Sequence, residues 1–319
     1  MINLVAVQAE MSLADYASAE VFRQKILSLT EQSVADLPPY PTLVAFPELI
    51  GFPLLLTLQG QGSDLSGTIK KVLTKHWKKL FQQAWQHKYL GPSVVYLPFA
   101  LPAYQAYRSA FSEAAKTFGV TLVAGSSLLP YISYEPSLGL HVANPKVSNT
   151  AFTFSPRGKL LGQSQKVHLT PGLESRLGLT KGRLQDLQVM HTPVGKVGVA
   201  ICLDAFHDSV MGHLDGLGAE IIVQPTANNA LWNRPWPKDT ALSEGEAWFR
   251  YGLQETMRGS LNVRYGVNPM LVGDLWELNF EGVSSIIQSD GTATKILAQA
   301  NGLRQDVVKV TVDAPKDKR

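Results

Sequence analysis

The sequence predicts an α/β fold in which parallel and antiparallel strands share a sheet. Early in the chain, short apolar runs alternate with a helical segment, as in residues 4–8, 17–30 and 43–46. Further on, strands follow one another through tight polar turns, as at residues 155–159, where SPRGK joins two apolar runs. Strand–helix alternation favours parallel pairs and hairpins require antiparallel pairs, so the two observations together predict a mixed sheet.

Each element is predicted from the period of its apolar residues and from the turn residues around it. Strands are expected at residues 4–8, 43–46, 120–125, 150–154, 160–165, 187–192, 197–201, 221–224, 264–267, 283–288, 295–298 and 307–312. Helices are expected at residues 17–30, 68–88, 104–118, 209–217 and 242–259. Residues 129–146 are polar and contain three prolines, which predicts a loop at the rim of a site. Without repeats or a break in composition, residues 1–319 are expected to form a single domain.

The helix predicted at residues 68–88 has an apolar stripe and a set of lysines off that stripe. The stripe consists of Leu73, Trp77, Leu80, Phe81 and Ala84. A basic amphipathic helix can contact a membrane surface, but a charged face is more often simply solvated, and we expect the latter.

The composition excludes several classes of protein. Apolar residues make up 45% of the chain and charged residues 17%, which allows a large core, and a net charge of +3 is too small to indicate a nucleic-acid partner. The single cysteine excludes an internal disulfide and a cysteine-rich zinc site, and it fits a reducing compartment. Residues 1–8 lack the features of a signal peptide, and no apolar run approaches the length of a membrane span. We therefore expect a cytoplasmic protein that binds neither nucleic acid nor membranes.

Three reactive side chains follow predicted strands: Glu48, Lys166 and Cys202. Ligands of open α/β sheets gather at the carboxyl ends of strands, and the positive end of a following helix favours a thiolate. Taken singly, the three have structural interpretations as a loop carboxylate, a surface lysine and a small buried hydrophobe. A binding module needs no such trio, so their joint presence favours an enzyme.

Five segments resemble motifs of the nitrilase superfamily of carbon–nitrogen hydrolases. Residues 46–49 (FPEL) are similar to its glutamate motif, residues 158–169 (GKLLGQSQKVHL) to its lysine motif, and residues 198–204 (GVAICLD) to its cysteine motif. Residues 148–152 (SNTAF) and 282–286 (GVSSI) resemble two further strands of the family. The resemblance spans nearly the whole chain, with the three reactive motifs in the family's order.

The resemblance implies a four-layer αββα sandwich that assembles into a homodimer or larger homo-oligomer and uses no metal or organic cofactor. It also implies a second glutamate beside the lysine, for which Glu174 is the candidate and Glu135 a weaker competitor. His168 is expected to be structural, and Asp204 is expected to cap the helix after the nucleophile.

The three residue types suit the cleavage of a non-peptide amide or N-carbamoyl bond. Cys202 would attack the carbonyl carbon and form a thioester, with Glu48 as the general base. Lys166 and the backbone N–H of Leu203 would stabilise the oxyanion.

Departures from the family's cysteine motif bear on the substrate. Leu203 stands where the family usually has an aromatic residue, and Asp204 matches amidase and carbamoylase branches better than nitrile-cleaving ones. A small amide or N-carbamoyl compound is therefore the expected substrate, in a pocket lined by Leu203, Asn228 and Trp232, with Trp236 as a further candidate.

Several alternatives stay open. The same site would also suit nitrile hydrolysis or acyl transfer, and the fold would also serve as a catalytically silent scaffold. A different enzyme would pair Cys202 with His207 or His168 and an aspartate.

Overall fold

The computed structural model of the protein describes residues 1–57, 64–171, 174 and 177–315. Its strands are, in chain order, β1 (Ile2–Glu10), β2 (Thr42–Ala45), β3 (Thr121–Glu135), β4 (Gly139–Phe154), β5 (Leu160–Gln165), β6 (Val189–Thr192), β7 (Gly195–Val199), β8 (Ile221–Val223), β9 (Pro235–Trp236), β10 (Asp239–Ser243), β11 (Tyr265–Asn268), β12 (Leu271–Leu275), β13 (Leu278–Phe280), β14 (Ser285–Ser289), β15 (Thr294–Gln299) and β16 (Asp306–Val312).

The described α-helices are α1 (Ala19–Val34), α2 (Leu54–Thr57), α3 (Leu65–His87), α4 (Leu97–Phe118), α5 (Asp208–Gly216), α6 (Glu244–Tyr251) and α7 (Leu253–Thr256). Short 3-10 helices cover Leu13–Tyr16, Pro92–Tyr96, Leu184–Asp186 and Cys202–Phe206.

Two mixed β-sheets form the centre of the fold. The larger sheet has eight strands in the order β13-β12-β1-β2-β3-β4-β5, with β16 paired antiparallel to β1. The smaller sheet has six strands in the order β15-β14-β11-β8-β7-β6, of which β7, β8 and β11 are parallel. Parallel pairs come from the strand–helix alternation and antiparallel pairs from the hairpins, as the sequence predicts.

The two sheets pack face to face through a shared apolar core. Leu4 and Leu43 of the larger sheet and Val199 and Val223 of the smaller sheet belong to this core, and all four are buried. Successive side chains of a strand point to opposite faces, so this core uses only every second residue of each strand.

The alternate residues of the same strands pack against helices. Val5 lies in a second core with Phe22 of α1 and Phe111 of α4, on the outer face of the larger sheet. Ile222 lies in a third core with Leu214 of α5, on the outer face of the smaller sheet. The order of layers is therefore helix, sheet, sheet, helix, and the predicted αββα sandwich is confirmed.

Residues 129–146 form most of a long β-hairpin, so the predicted loop is wrong. Strands β3 and β4 pair out to Glu135 and Gly139. Proline usually interrupts a strand, but here the pairing register shifts next to Pro130, and such an irregularity tolerates a residue without an N–H. Glu135 lies at the far end of this hairpin with its side chain 53% exposed.

Two of the smaller differences between the predicted and observed elements have local causes. Helix α4 begins at Leu97 rather than at residue 104, because Pro98 occupies the first turn, where a missing N–H costs no helical bond. The helix predicted at residues 242–259 is divided into α6 and α7 at Gly252, whose backbone is not helical. Strands β12 and β13 were not predicted.

The apolar stripe of α3 is divided between the core and the surface. Leu80 is buried, whereas Leu73, Trp77 and Phe81 are 43%, 61% and 68% exposed. The helix is kinked at His76, so one regular 3.6-residue period does not assign its faces correctly. Within the described ranges, no helix is both long enough and apolar enough to cross a membrane.

This division can be tested with two adjacent residues. We expect Leu80→Ala to lower the free energy of unfolding by about 2–5 kcal/mol, because it removes buried methyl groups and leaves a cavity. Phe81→Ala should change it by less than about 0.5 kcal/mol, because that ring is exposed to solvent. Urea denaturation of the two variants measures both values, and equal losses would contradict the assignment of the two faces.

Candidate active site

Three segments that follow strands bring Glu48, Lys166 and Cys202 together. Glu48 comes three residues after β2, Lys166 directly follows β5, and Cys202 comes three residues after β7. The first two belong to the larger sheet and the third to the smaller sheet. The site therefore lies where the carboxyl ends of strands from both sheets meet.

Glu48 is 2% exposed and accepts hydrogen bonds at both carboxylate oxygens. Its Oε1 lies 2.8 Å from Lys166 Nζ and 2.8 Å from Asn149 Nδ2. Its Oε2 accepts the backbone N–H of Ala227 at 3.0 Å. Three donors from three different elements thus fix the orientation of this carboxylate.

The ammonium group of Lys166 lies between two carboxylates. Its Nζ is 2.8 Å from Glu48 Oε1 and 2.8 Å from Glu174 Oε2, and it also donates to Thr170 Oγ1 at 3.2 Å. Burial alone would lower the pKa of Lys166, but the negative charges that Cys202, Glu48 and Glu174 can carry outweigh burial and raise it. Lys166 is therefore a permanent cation in this site.

Two further residues, neither of them among the predicted site residues, complete the network. Asn149, on β4, donates through Nδ2 to Glu48 and also to Glu174 Oε1 at 2.8 Å. Thr170 donates its backbone N–H to Glu174 Oε2 at 2.6 Å. Asn149 belongs to the motif at residues 148–152, which resembles a strand of the family. The sequence around a buried strand asparagine does not show whether its side chain belongs to a site or to the core.

The backbone of Cys202 is held in an uncommon conformation. Its φ is +50°, in the left-handed region that residues with a side chain rarely adopt. Its N–H donates to the carbonyl oxygen of Pro225 at 2.9 Å, and its carbonyl oxygen accepts from Gln224 Nε2 at 2.9 Å. The segment after β8 therefore holds the sharp turn that presents the thiol, as expected where backbone strain is stored at a functional site.

The surroundings of the thiol keep it protonated at rest. Burial raises the pKa of Cys202 well above its ordinary value, the charges of Glu48 and Glu174 raise it further, and Lys166 opposes them. Burial also raises the pKa of Glu48, which accepts a hydrogen bond from the thiol. A protonated thiol that donates a hydrogen bond to a carboxylate of raised pKa can transfer its proton to that carboxylate.

Asp204 does not cap the helix that follows the cysteine, so that prediction is wrong. Its carboxylate accepts the backbone N–H groups of His168 at 2.7 Å and of Val167 at 3.0 Å. The residue before α5 is His207, which makes no side-chain cap. Asp204 instead ties the backbone beside Lys166 to the helical turn that begins at Cys202.

The two candidate histidines lie against each other. The rings of His168 and His207 stack at a centroid distance of 3.6 Å, and His168 Nδ1 contacts Asp204 Oδ1 at 3.2 Å. The groups that shift the pKa of Cys202 are Glu48, Lys166 and Glu174, with no histidine among them. This arrangement disfavours the cysteine–histidine alternative.

A cavity of about 190 Å³ opens onto the thiol. Leu203 and Asn228 line it, as does Trp236. Trp232 does not line this cavity, contrary to expectation. It packs against α6 at Gly245, where a side chain would collide with the indole, and meets Phe249 edge-on. Trp248 and Phe206, which are not among the predicted pocket residues, also line the cavity.

The structure places the two candidate glutamates in different surroundings. Glu174 is buried and contacts Lys166 directly. Glu135 lies at the end of the hairpin, where its carboxylate is 3.5 Å from His141 Nε2. Of these two residues, Glu174 is the one that contacts the buried lysine.

The comparison with known protein families identifies the class to which this fold and site belong. Residues 5–315 match the family model described as carbon–nitrogen hydrolase. The chain therefore belongs to the carbon–nitrogen hydrolase family, within the nitrilase superfamily.

Two relatives resemble shorter parts of the chain. Nitrilase 3 of Arabidopsis thaliana is 37% identical over 82 residues, which are 26% of this chain and 23% of that protein. Omega-amidase NIT2 of Xenopus tropicalis is 32% identical over 123 residues, which are 37% of this chain and 40% of that protein. The matched part of the chain thus spans about a quarter and two fifths of the lengths of these two relatives.

Solved structures resemble the fold over nearly the whole chain. A carbon–nitrogen hydrolase of Helicobacter pylori G27 has a TM-score of 0.62 and 18% identity, covering 97% of this chain and 87% of that one. A mutant of the Nesterenkonia AN1 amidase, from the nitrilase superfamily, has a TM-score of 0.59 and 16% identity, covering 98% of this chain and 92% of that one. At these identities the likeness is one of fold.

The buried position of Asp204 has a consequence for stability at acid pH. Burial raises the pKa of Asp204 from 3.8 to about 6. Between these values the folded protein binds a proton that the unfolded chain does not, so this group increases stability as the pH falls from about 7 to about 4. Because each tenfold change in proton affinity corresponds to about 1.4 kcal/mol, the gain is on the order of 3 kcal/mol.

Asp204→Asn should remove this dependence. Urea denaturation between pH 4.5 and 7.5 is expected to show the wild type gaining free energy of unfolding toward acid pH relative to the variant. Asp186→Asn is the control, because Asp186 forms an exposed ion pair with Arg183. Parallel pH profiles for the wild type and Asp204→Asn would contradict the buried, raised-pKa carboxyl.

Proposed function

We propose that the protein hydrolyses a small non-peptide amide or N-carbamoyl compound through a thioester on Cys202. The observation that carries this proposal is the buried thiol that contacts Glu48 while Lys166 lies between Glu48 and Glu174. A scaffold has no use for two buried carboxylates and a buried ammonium around one thiol, because burying such charges costs free energy.

In the first half-reaction Glu48 accepts the thiol proton and the sulfur attacks the carbonyl carbon. The oxygen of the tetrahedral intermediate becomes negative, and Lys166 with the backbone N–H of Leu203 stabilises it. Leu203 lies in the first turn of a helix, where N–H groups have no partner within that helix. Glu48 then returns its proton to the leaving nitrogen, the C–N bond breaks, and ammonia or an amine departs.

In the second half-reaction Glu48 removes a proton from water, whose oxygen attacks the thioester carbon. The same cation and N–H stabilise the second tetrahedral intermediate, and the carbon–sulfur bond then breaks. The acid departs, or carbamic acid in the case of an N-carbamoyl substrate, and the proton returns to the thiol. One water is consumed, and Glu48 acts as base and acid in turn.

Glu174 and Asn149 are positioning residues in this proposal. Two of the three N–H groups of the Lys166 ammonium point to Glu48 and Glu174. The third donates to Thr170 Oγ1 and is proposed to turn to the substrate oxygen when substrate binds. Asn149 holds the two carboxylates at a fixed separation by donating to both. Asn228 is proposed to contact substrate at the cavity wall.

Asp204, two residues after the cysteine, favours amide cleavage over nitrile cleavage. The names of the two relatives do not decide between these reactions, because one is a nitrilase and the other an amidase. Nitrile hydrolysis and a silent scaffold are the alternatives. We also propose that residues 1–319 form one domain, because both sheets contribute to one shared core.

The nucleophile can be identified by trapping. Brief incubation with a panel of small amides, N-carbamoyl compounds and nitriles should add the mass of the acyl group to the wild type and nothing to Cys202→Ala. Intact-mass spectrometry measures the adduct, and the compounds that form it reveal the substrate class. No adduct, together with a native thiol that resists iodoacetamide, would favour the scaffold.

The remaining site residues can be separated from the histidine alternative by kinetics. Glu48→Gln and Lys166→Met are each expected to reduce kcat at least about a hundredfold, since each removes a group that acts on the transition state. His207→Gln serves as the control and should retain most activity. The opposite pattern would support the cysteine–histidine mechanism.

The raised pKa of Glu48 predicts an acid limb in the pH–rate profile. The base must be ionised, so kcat/KM should fall as the pH drops through an apparent pKa above 4.5, the ordinary value for this group. A profile measured on the wild type locates this limb, and one that begins below pH 4.5 would contradict Glu48 as the base.

A further inference from the structure

The cavity beyond the thiol contains a carboxylate that the proposed mechanism does not use. Glu244 is the first residue of α6 and lines the same cavity as Cys202 and Leu203. Most of the rest of the wall is uncharged, formed by aromatic, aliphatic and amide side chains. A charged group in such a wall is a candidate for recognising substrate.

Among the described residues, the Glu244 carboxylate has one weak hydrogen-bond partner and no ion-pair partner. Its Oε1 accepts from Trp248 Nε1 at 3.3 Å. In the part of the chain that the structure describes, its carboxylate forms no ion pair with any lysine, arginine or histidine within 4.0 Å. Burial raises the pKa of Glu244, because the hydrogen bond from Trp248 only partly offsets the loss of water around its charge.

Lys238, also in the cavity lining, does not compensate this charge. It is an exposed residue whose Nζ lies 5.5 Å from the ring centroid of Trp236. A solvated ammonium at the rim is screened by water, whereas the half-buried Glu244 acts through a lower dielectric. The charge that the inner cavity presents is therefore negative.

The aromatic walls favour the same ligand. Trp236, Trp248 and Phe206 line the cavity beside Glu244. The faces of such rings attract cations, most strongly when water is excluded. A carboxylate without a counter-ion among aromatic rings is a combination that binds an organic ammonium group.

We propose that Glu244 binds a primary ammonium group at the far end of the substrate, so that the preferred substrates are small ω-amino amides. The scissile carbonyl lies at Cys202 and the ammonium at Glu244, with a short carbon chain between them in a cavity of about 190 Å³. This inference rests on the proposed function for its reaction, but not for the binding of the cation.

The kinetic test uses pairs of substrates that differ only in charge. The pairs are 5-aminopentanamide with hexanamide, and 4-aminobutanamide with pentanamide. For the wild type, kcat/KM should be at least about tenfold higher for the cationic member of one pair. Glu244→Gln should reduce that ratio at least about tenfold, chiefly through KM, while its side-chain oxygen can still accept from Trp248.

Glu246→Gln is the matched control. It makes the same change of charge two residues further along α6, at an exposed position. Glu246 closes the capping box with Ser243, and glutamine preserves that role, so the helix keeps its start. The ratio should stay at the wild-type value in this variant, and a loss equal to that of Glu244→Gln would overturn a local role for Glu244.

A binding test separates this inference from the proposed reaction. Pentylammonium chloride should slow the alkylation of Cys202 by iodoacetamide in the wild type at least about tenfold more than 1-pentanol does, and Glu244→Gln should abolish the difference. Selective protection without turnover of any amide would sink the proposed function and keep the cation site. Turnover of both members of each pair at equal rates, with equal protection by the two probes, would overturn the cation site and keep the proposed function.

Discussion

The ammonium of Lys166, held between the carboxylates of Glu48 and Glu174, is the interaction on which the rest of the site depends. Two carboxylates buried this closely would otherwise repel each other and favour protonation of at least one of them. The cation allows negative charge to persist beside a thiol in the protein interior. Asn149 and the backbone of Ala227 supply the remaining donors that such buried oxygens need. Without the cation, Glu48 would lose the ionised state that a base requires.

The position of Lys166 in turn depends on the fold around it. The lysine begins the segment after β5, and the next two N–H groups of that segment bind Asp204 from the segment that carries Cys202. One buried carboxylate therefore links the segments that hold the cation and the thiol. If Asp204 capped α5, it would stabilise that helix alone. Its observed hydrogen bonds with Val167 and His168 instead fix the distance between Lys166 and Cys202.

The sequence was informative where chemistry and strand ends coincide. Alternating apolar residues located most strands, and short motifs at their ends indicated Glu48, Lys166 and Cys202, which the structure brings together. The hairpin at residues 129–146 was missed because prolines at irregular pairs look the same as prolines in a loop. The face of α3 was assigned wrongly because a kink at His76 changes the period. The sequence does not indicate whether Trp232 or Trp248 lines the cavity. Trp232 packs against Gly245 and Trp248 lines the cavity, and this arrangement leaves no local sequence pattern.

Neither sheet alone contains the reactive centre, since Glu48 and Lys166 follow strands of the larger sheet and Cys202 follows a strand of the smaller one. The hydrogen bonds within one sheet therefore do not by themselves bring the thiol to the Glu48 carboxylate. The centre is complete only when the two apolar faces pack on each other. A general alkylating reagent also modifies an unfolded chain, whereas a label that needs the Glu48 carboxylate beside the thiol reports only molecules in which both sheets are assembled.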